Sequence, residues 1–308
     1  MASPKPSITK LTSTDAFVVV DFDQVPASGE VRVARKVLQS SASDLARSSS
    51  YTFGAFEIER SGASAGINAQ GDAVSDAVTA FASEITPWAE QGNLHLDPAK
   101  GVPSGALAGL QAASTLGDQA GSVAVTVAGI VAATSWAAGG TLDGSTVAIE
   151  SPELAPTGLV EALTQAGATI VDVNGVDTQP WKIWSAEADI VLAGSKPGTL
   201  THQGAPLVKA STVVPWGPIP VTTKAFAHLQ RAGKVLVPDF ISLAGARLSG
   251  LTEGDQDTVI ETINAQIVER LDQASRHPDD LFLGACQHAE AFIESWRGAK
   301  PFGRPLAV

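Results

Sequence analysis

Between Ala188 and Gly250 the chain holds three short apolar runs, Ile190–Ala193, Thr212–Val214 and Val235–Val237, each followed by Gly or Pro. A helix-like segment, Thr222–Arg231, precedes the last of them. Short apolar runs bounded by turn residues are how strands buried on both faces of a parallel sheet read in sequence. A helix between such runs makes a β-α-β unit. Ligands in that architecture sit outside the carboxyl ends of the strands. Those ends are Ala193-Gly194-Ser195, Pro215-Trp216-Gly217-Pro218 and Pro238-Asp239-Phe240, so three loops are expected to line one wall of any site.

The same pattern starts earlier. Thr146–Glu150 reads as the first strand, Thr157–Ala166 as a helix and Thr169–Val173 as the second strand. In Asp257–Ala274, Val259, Ile263, Ile267 and Leu271 form an apolar stripe at helical spacing. Val123–Ala138 reads as a buried helix linking two halves. Upstream, residues 1–14 read as a loose polar leader. Ala16–Asp21 and Glu30–Leu38 read as strands joined by a Pro26-Ala27-Ser28-Gly29 turn. Ser43–Ser48 reads as helical, Phe53–Ile58 and Gly62–Ile67 as short strand or loop pieces, and Asp72–Thr86 as a helix ended by Pro87. The expected class is α/β in two domains, an N-terminal α/β dimerisation-type domain and a doubly wound parallel sheet.

A length of 308 residues suits two domains with separate cores. At 44% hydrophobic and 17% charged residues the composition is globular. A formal net charge of −12 argues against nucleic acid and against an anionic membrane surface as partners. No apolar run reaches the roughly 20 residues of a membrane span, and MASPKPSITK has no apolar signal core. One cysteine, Cys286, excludes an internal disulfide framework, and the five histidines lack metal-ligand spacing. A soluble cytoplasmic protein without a metal is the expectation.

Pro220-Val221-Thr222 and Val237-Pro238-Asp239-Phe240, with Asn264–Leu271, Leu281–Gly298 and the closing Arg297-Gly298, resemble the glutamate/leucine/phenylalanine/valine dehydrogenases. The resemblance extends more weakly back to about Tyr51. It implies a Rossmann-like nucleotide-binding domain over 140–255, an N-terminal substrate and oligomerisation domain over 1–139, and C-terminal helices (256–308) that return toward the first domain. It also implies NAD or NADP as cofactor and assembly into a homo-oligomer, with other protein subunits as further candidate partners.

The residues that the resemblance places at the chemistry are largely replaced. The family's catalytic lysine turn matches Ser61–Gly66, where Ser64 stands in the lysine's position, and its substrate-binding lysine falls near Phe53 or Gly54. The catalytic aspartate's loop matches Asp97-Pro98-Ala99-Lys100-Gly101-Val102. A neutral serine cannot supply a lysine's charge. The phosphate-binding glycine turn becomes Ser151-Pro152-Glu153-Leu154-Ala155-Pro156, with fewer amide donors and an added carboxylate. Thr126, Glu150, Asn174, Ala193, Gly194 and Ser195 are the candidate cofactor contacts.

His95, Asp97 and Lys100 fall in the loop that faces the cleft in that family, where they could form a replacement acid/base set; an exposed polar loop is the ordinary alternative. Glu153 reads as a turn charge before a ligand, Lys196 as a surface lysine before an anion contact, and Trp216 as a buried aromatic before a stacking platform. Cys286 reads as a packed thiol, and Asp239 as a loop cap. Three functions remain open: a non-catalytic binding or assembly protein, an NAD(P)-linked oxidoreductase on a different small substrate with relocated groups, and a structural subunit that pairs through an edge strand within Phe17–Val33.

Overall fold

A computed structural model describes residues 5–116, 122–171 and 180–307. The chain divides into two compact units, Met1–Gly121 with Ala289–Pro305, and Ser122–His288 with Leu306–Val308.

The first unit is built on five strands: β1 (Ser7–Lys10), β2 (Ala16–Val20), β3 (Ala27–Ala34), β4 (Ser61–Asn68) and β5 (Leu94–Pro98). Their order is β1-β2-β4-β3-β5, antiparallel through β4 and parallel from β4 to β5. Period-two alternation sends Ala27, Val31, Ala63, Ala65, Ile67, Leu94 and Leu96 to one face. There they pack with Val78, Phe81 and Ile85 of helix α2 (Ala73–Glu90). On the other face Phe17 and Val19 meet Ala42 and Ala46 of helix α1 (Gln39–Ala55). Helix α1 runs close over β4 because residue 62 is Gly: a Cβ there would lie 1.9 Å from the Ala46 carbonyl oxygen. A short helix, α3 (Ala108–Ala113), completes the unit's helices before residue 117.

Several expectations for this half are corrected. Residues 7–10 of the supposed leader form β1, registered against residues 17–20 of β2, since an exposed edge strand is held by its backbone ladder without apolar side chains. The Ala27-Ser28-Gly29 turn is the start of β3, and β4 lies between β2 and β3. Phe17–Val33 therefore supplies interior strands, and the edges are β1 and β5. The serine-rich stretch and Phe53–Ala55 form one long helix because its small side chains permit close contact with the sheet; Ser50 Oγ accepts from the Gly62 amide at 2.8 Å. Helix α2 continues through Pro87 to Glu90. The proline removes one donor near the helix end, while buried Ile85 and Ala89 anchor the helix on either side of it.

The second unit opens with α4 (Val123–Ala137) and carries a parallel sheet of β6 (Thr146–Ile149), β7 (Thr169–Ile170), β8 (Ile190–Ala193), β9 (Thr212–Pro215) and β10 (Val235–Leu236), in the order β10-β9-β8-β6-β7. Helices α5 (Leu159–Gln165) and α6 (Thr223–Arg231) connect strands, and Thr222 caps α6 by accepting from the Ala225 amide at 3.3 Å. Short helices α7 (Asp239–Ser242) and α8 (Gly245–Leu248) follow. In α9 (Gln256–Ser275) the stripe Val259, Ile263, Ile267 and Leu271 is buried, and α9 packs on α4. Helix α10 (Leu281–Arg297) places Phe282 against Phe226 and Phe240 in this unit, and its residues from Ala289 belong to the first unit. Strand order reverses between β6 and β8: β7 lies to one side of β6, and β8, β9 and β10 lie to the other. That reversal makes the carboxyl ends of β6 and β8 the place where a doubly wound sheet opens a crevice.

Candidate functional site

At this switch point stands Glu150, one residue past β6 and only 2% exposed. Its carboxylate accepts from the Gly194 amide at 3.1 Å and the Ser195 amide at 2.9 Å, both just past β8. The other oxygen accepts from the hydroxyls of Ser195 (2.5 Å), Ser151 (3.1 Å) and Thr199 (3.1 Å). Burial pushes the Glu150 carboxyl up, but the hydrogen bonds from Ser195, Gly194 and Ser151 outweigh it and hold the group below the usual carboxylate range. The third loop closes over the same residue: buried Trp216 donates its Nε1 to the Glu150 carbonyl oxygen at 3.0 Å. The loops after β8 and β9 meet glycine to glycine, and a Cβ on Gly194 would lie 2.2 Å from the Gly217 nitrogen. Farther along, Asp239 is buried and accepts from the Ile219 amide at 2.9 Å, fixing a residue at φ 44°.

A dinucleotide needs free amides where its pyrophosphate meets a helix N-terminus. That helix N-terminus follows β6, and beside it the amides of Gly194 and Ser195, in the loop past β8, already donate to Glu150. After β6 the chain turns left-handed at Ser151 (φ 49°) and makes a short 3-10 turn, Pro152–Leu154; α5 begins only at Leu159. These residues do not fit a pyrophosphate. Of the other candidate contacts, Thr126 donates its hydroxyl back to the Ser122 carbonyl on α4, Ala193 is wholly buried, and Asn174 lies outside the described residues. Glu153 and Lys196 are exposed turn residues, and Cys286 is buried.

The first unit holds a second polar group. Ser28, Glu30 and Arg32 alternate along β3 on the sheet face opposite Val31 and Val33. Register places Ser64 of β4 and Asp97 of β5 on either side of Glu30, and His95 beside Ser28. His95 Nε2 lies 3.4 Å from Asp97 Oδ1, which also accepts from Gln111 Nε2 at 2.9 Å. Arg60 donates to Ser28 Oγ at 3.1 Å, and Arg32 Nη2 lies 3.5 Å from Glu30. Ser64 and His95 are buried, and among the described residues Ser64 Oγ and His95 Nδ1 have no hydrogen-bond partner. A histidine beside a carboxylate is a set that can move a proton.

The structure thus brings Ser64, His95 and Asp97 to one sheet face. It corrects the loop reading of His95 and Asp97, which sit within β5, while Ser64 lies within β4, a strand as the sequence allowed. Lys100 lies in the turn beyond β5 and is exposed. Glu30, Ser28, Arg60 and Gln111 were not singled out by the sequence, although the polar period-two alternation of β3 carried the signal for the first two. Among the described residues no group of three or more His, Cys, Asp or Glu could hold a metal ion, and no helix is long and apolar enough to cross a membrane.

The architecture defines a class: this chain has the two-domain fold of the amino-acid dehydrogenases. A hetero-hexameric glutamate dehydrogenase from Thermus thermophilus (Leu-bound form) is 18% identical and superposes with a TM-score of 0.79 over 98% of this chain and 91% of that one. L-tryptophan dehydrogenase from Nostoc punctiforme is 16% identical, with a TM-score of 0.70 over 96% and 97%. Glutamate dehydrogenase from Peptoniphilus asaccharolyticus is 14% identical, with a TM-score of 0.67 over 92% and 86%. No protein-family model matches the sequence, and no curated protein matches it.

Proposed function

We propose that this chain uses an amino-acid-dehydrogenase architecture as a non-catalytic binding or assembly protein of the cytoplasm. The observation that supports the reading is the turn after β6, where a dinucleotide's pyrophosphate would meet a helix N-terminus: it is left-handed at Ser151, carries Pro152 and Glu153, and delays α5 to Leu159, while the Glu150 carboxylate occupies the neighbouring amides of Gly194 and Ser195. Replacement of the lysine by Ser64 supports it independently, because a neutral hydroxyl cannot stabilise the charge that develops in oxidative deamination. The partners on this reading are further copies of the chain or other protein subunits, and not nucleic acid or membrane. The Thermus thermophilus protein of the same fold is itself described as hetero-hexameric. The strands β1 and β5, at the two edges of the sheet among the described residues, are the surfaces that such assembly would extend. Titration with NAD⁺, NADH, NADP⁺ and NADPH, read by calorimetry and by thermal shift, tests the reading. No binding up to about 1 mM is expected, whereas micromolar binding of any one would overturn it. Light scattering tests the assembly part, which a monomer at micromolar concentration would remove.

One observation favours a second reading, an NAD(P)-dependent oxidoreductase acting on a different small substrate through relocated groups. It is the gathering of Ser64, Glu30, Asp97 and His95 on one sheet face. On that reading Asp97→Ala abolishes turnover and leaves the melting temperature nearly unchanged.

A further inference from the structure

We infer that the loop ends of β6 and β8 form a carboxylate receptor whose resident ligand is the chain's own Glu150 side chain, and that this receptor accepts a small external carboxylate once that side chain is removed. The inference deepens the reading above and rests on it only in taking Glu150 as the site's occupant. The donors point at one oxygen pair: two consecutive backbone amides, Gly194 and Ser195, on one oxygen, and three hydroxyls, Ser195, Ser151 and Thr199, on the other. Consecutive amides converging on an anion form a nest, which favours negative charge. The nest is held by contacts that do not involve the carboxylate. The Gly194 and Gly217 backbones are in contact, and Trp216 bonds the Glu150 main chain rather than its side chain. Removing the side chain therefore leaves the donors in place with a cavity of carboxylate size among them. The Glu150 carboxyl is held below its usual range, so it stays ionised at neutral pH and does not vacate the nest by protonation.

Chemical rescue of Glu150→Ala tests this. The variant is expected to melt roughly 5–10 °C below the parent, as for loss of a buried, hydrogen-bonded charge. About 0.2 M sodium formate should restore about half of that loss by mass action. The gain is measured over that of the parent protein in formate and of the variant in equal sodium chloride. Absence of a formate-specific gain, or an equal gain in chloride, overturns the inference. Should Glu150→Ala fail to fold, Glu150→Gln keeps the volume and removes the charge. A lowered melting temperature that formate does not correct is then expected, because the amide still fills the nest, and a melting temperature equal to the parent's overturns the inference. Dinucleotide binding is read in the separate titration above, so failure there and failure here are distinguishable.

Discussion

Ser195 donates its hydroxyl to the Glu150 carboxylate at 2.5 Å, joining the end of β8 to the end of β6 across the point where the strand order reverses. The bond adds to the Ser195 amide's own contact with the same carboxylate, so one residue supplies two of its donors. The loop that an open α/β sheet leaves for a ligand is thereby used to tie two strands together.

This tie makes the stability of the second unit dependent on acid. Glu150's folded pKa lies below its ordinary 4.5. A group depressed on folding contributes stability that is fully present above the unfolded value and is lost as pH falls through the folded one. Urea unfolding of the parent and of Glu150→Gln should therefore differ most above pH 4.5 and converge in more acid solution. Curves that stay parallel throughout would show that the carboxylate's charge contributes nothing.

Much of the second unit was legible because buried parallel strands leave a local signature, short β-branched runs followed by Gly or Pro. The runs at 190, 212 and 235 all became strands, the first with the expected bounds and the other two ending one residue later and one earlier. The first unit was less legible because its contacts depend on smallness. A serine-rich helix over a Gly-Ala-Ser-Ala-Gly strand has no strong apolar period, so Gln39–Ala55 showed only a fragment of itself. The site divided in the same way. Gly194 and Ser195 were visible as a strand end, but the occupation of their amides by Glu150 depends on β6 and β8 being neighbours, forty-odd residues apart in sequence. The pairing of His95 with Ser28, and of Asp97 with Glu30, likewise exists only in the register of β3 and β5.

The buried ion pair of the first unit sets another expectation. Arg47 donates Nε and Nη2 to Asp21 at 2.8 and 2.6 Å and Nη1 to the Gly303 carbonyl at 3.1 Å. The Asp21 side chain is wholly buried and that of Arg47 is 5% exposed. Arg47→Met strands a carboxylate in the interior, which costs about 3–5 kcal/mol. Asp21→Asn in the same chain should recover part of that loss, a coupling that a double-mutant cycle in urea measures. Strict additivity would mean that the two side chains act independently.

Asp44, also on α1, has the opposite linkage. Burial lifts its carboxyl to about 6 from 3.8, with nearby Arg47 opposing the rise. In this window the folded state holds a proton that the unfolded state has released, so stability falls as pH rises from 3.8 to about 6 and then levels off. Asp44→Asn should remove that fall and melt higher than the parent at neutral pH. A parent profile that is flat over the same window, matched by the variant, would place the titration of Asp44 outside it.

The close approach of α1 to β4 gives a paired test with its own control. A Cβ at position 62 would sit 1.9 Å from the Ala46 carbonyl oxygen and 2.6 Å from the Ser50 nitrogen. Both are backbone atoms of α1, so relief requires moving the helix rather than rotating a side chain. That movement would also stretch the bond from the Gly62 amide to Ser50 Oγ. Gly62→Ala should therefore cost about 3 kcal/mol, near the upper end for overpacking. Gly109→Ala makes the same chemical change within α3, where a Cβ meets nothing within 4 Å among the described residues, and should be neutral or stabilising by about 0.5–1 kcal/mol. Guanidinium unfolding of the two variants side by side separates a steric requirement at the helix–strand contact from the general effect of adding a methyl group. Equal stabilities would mean that α1 does not lie against β4 at Gly62.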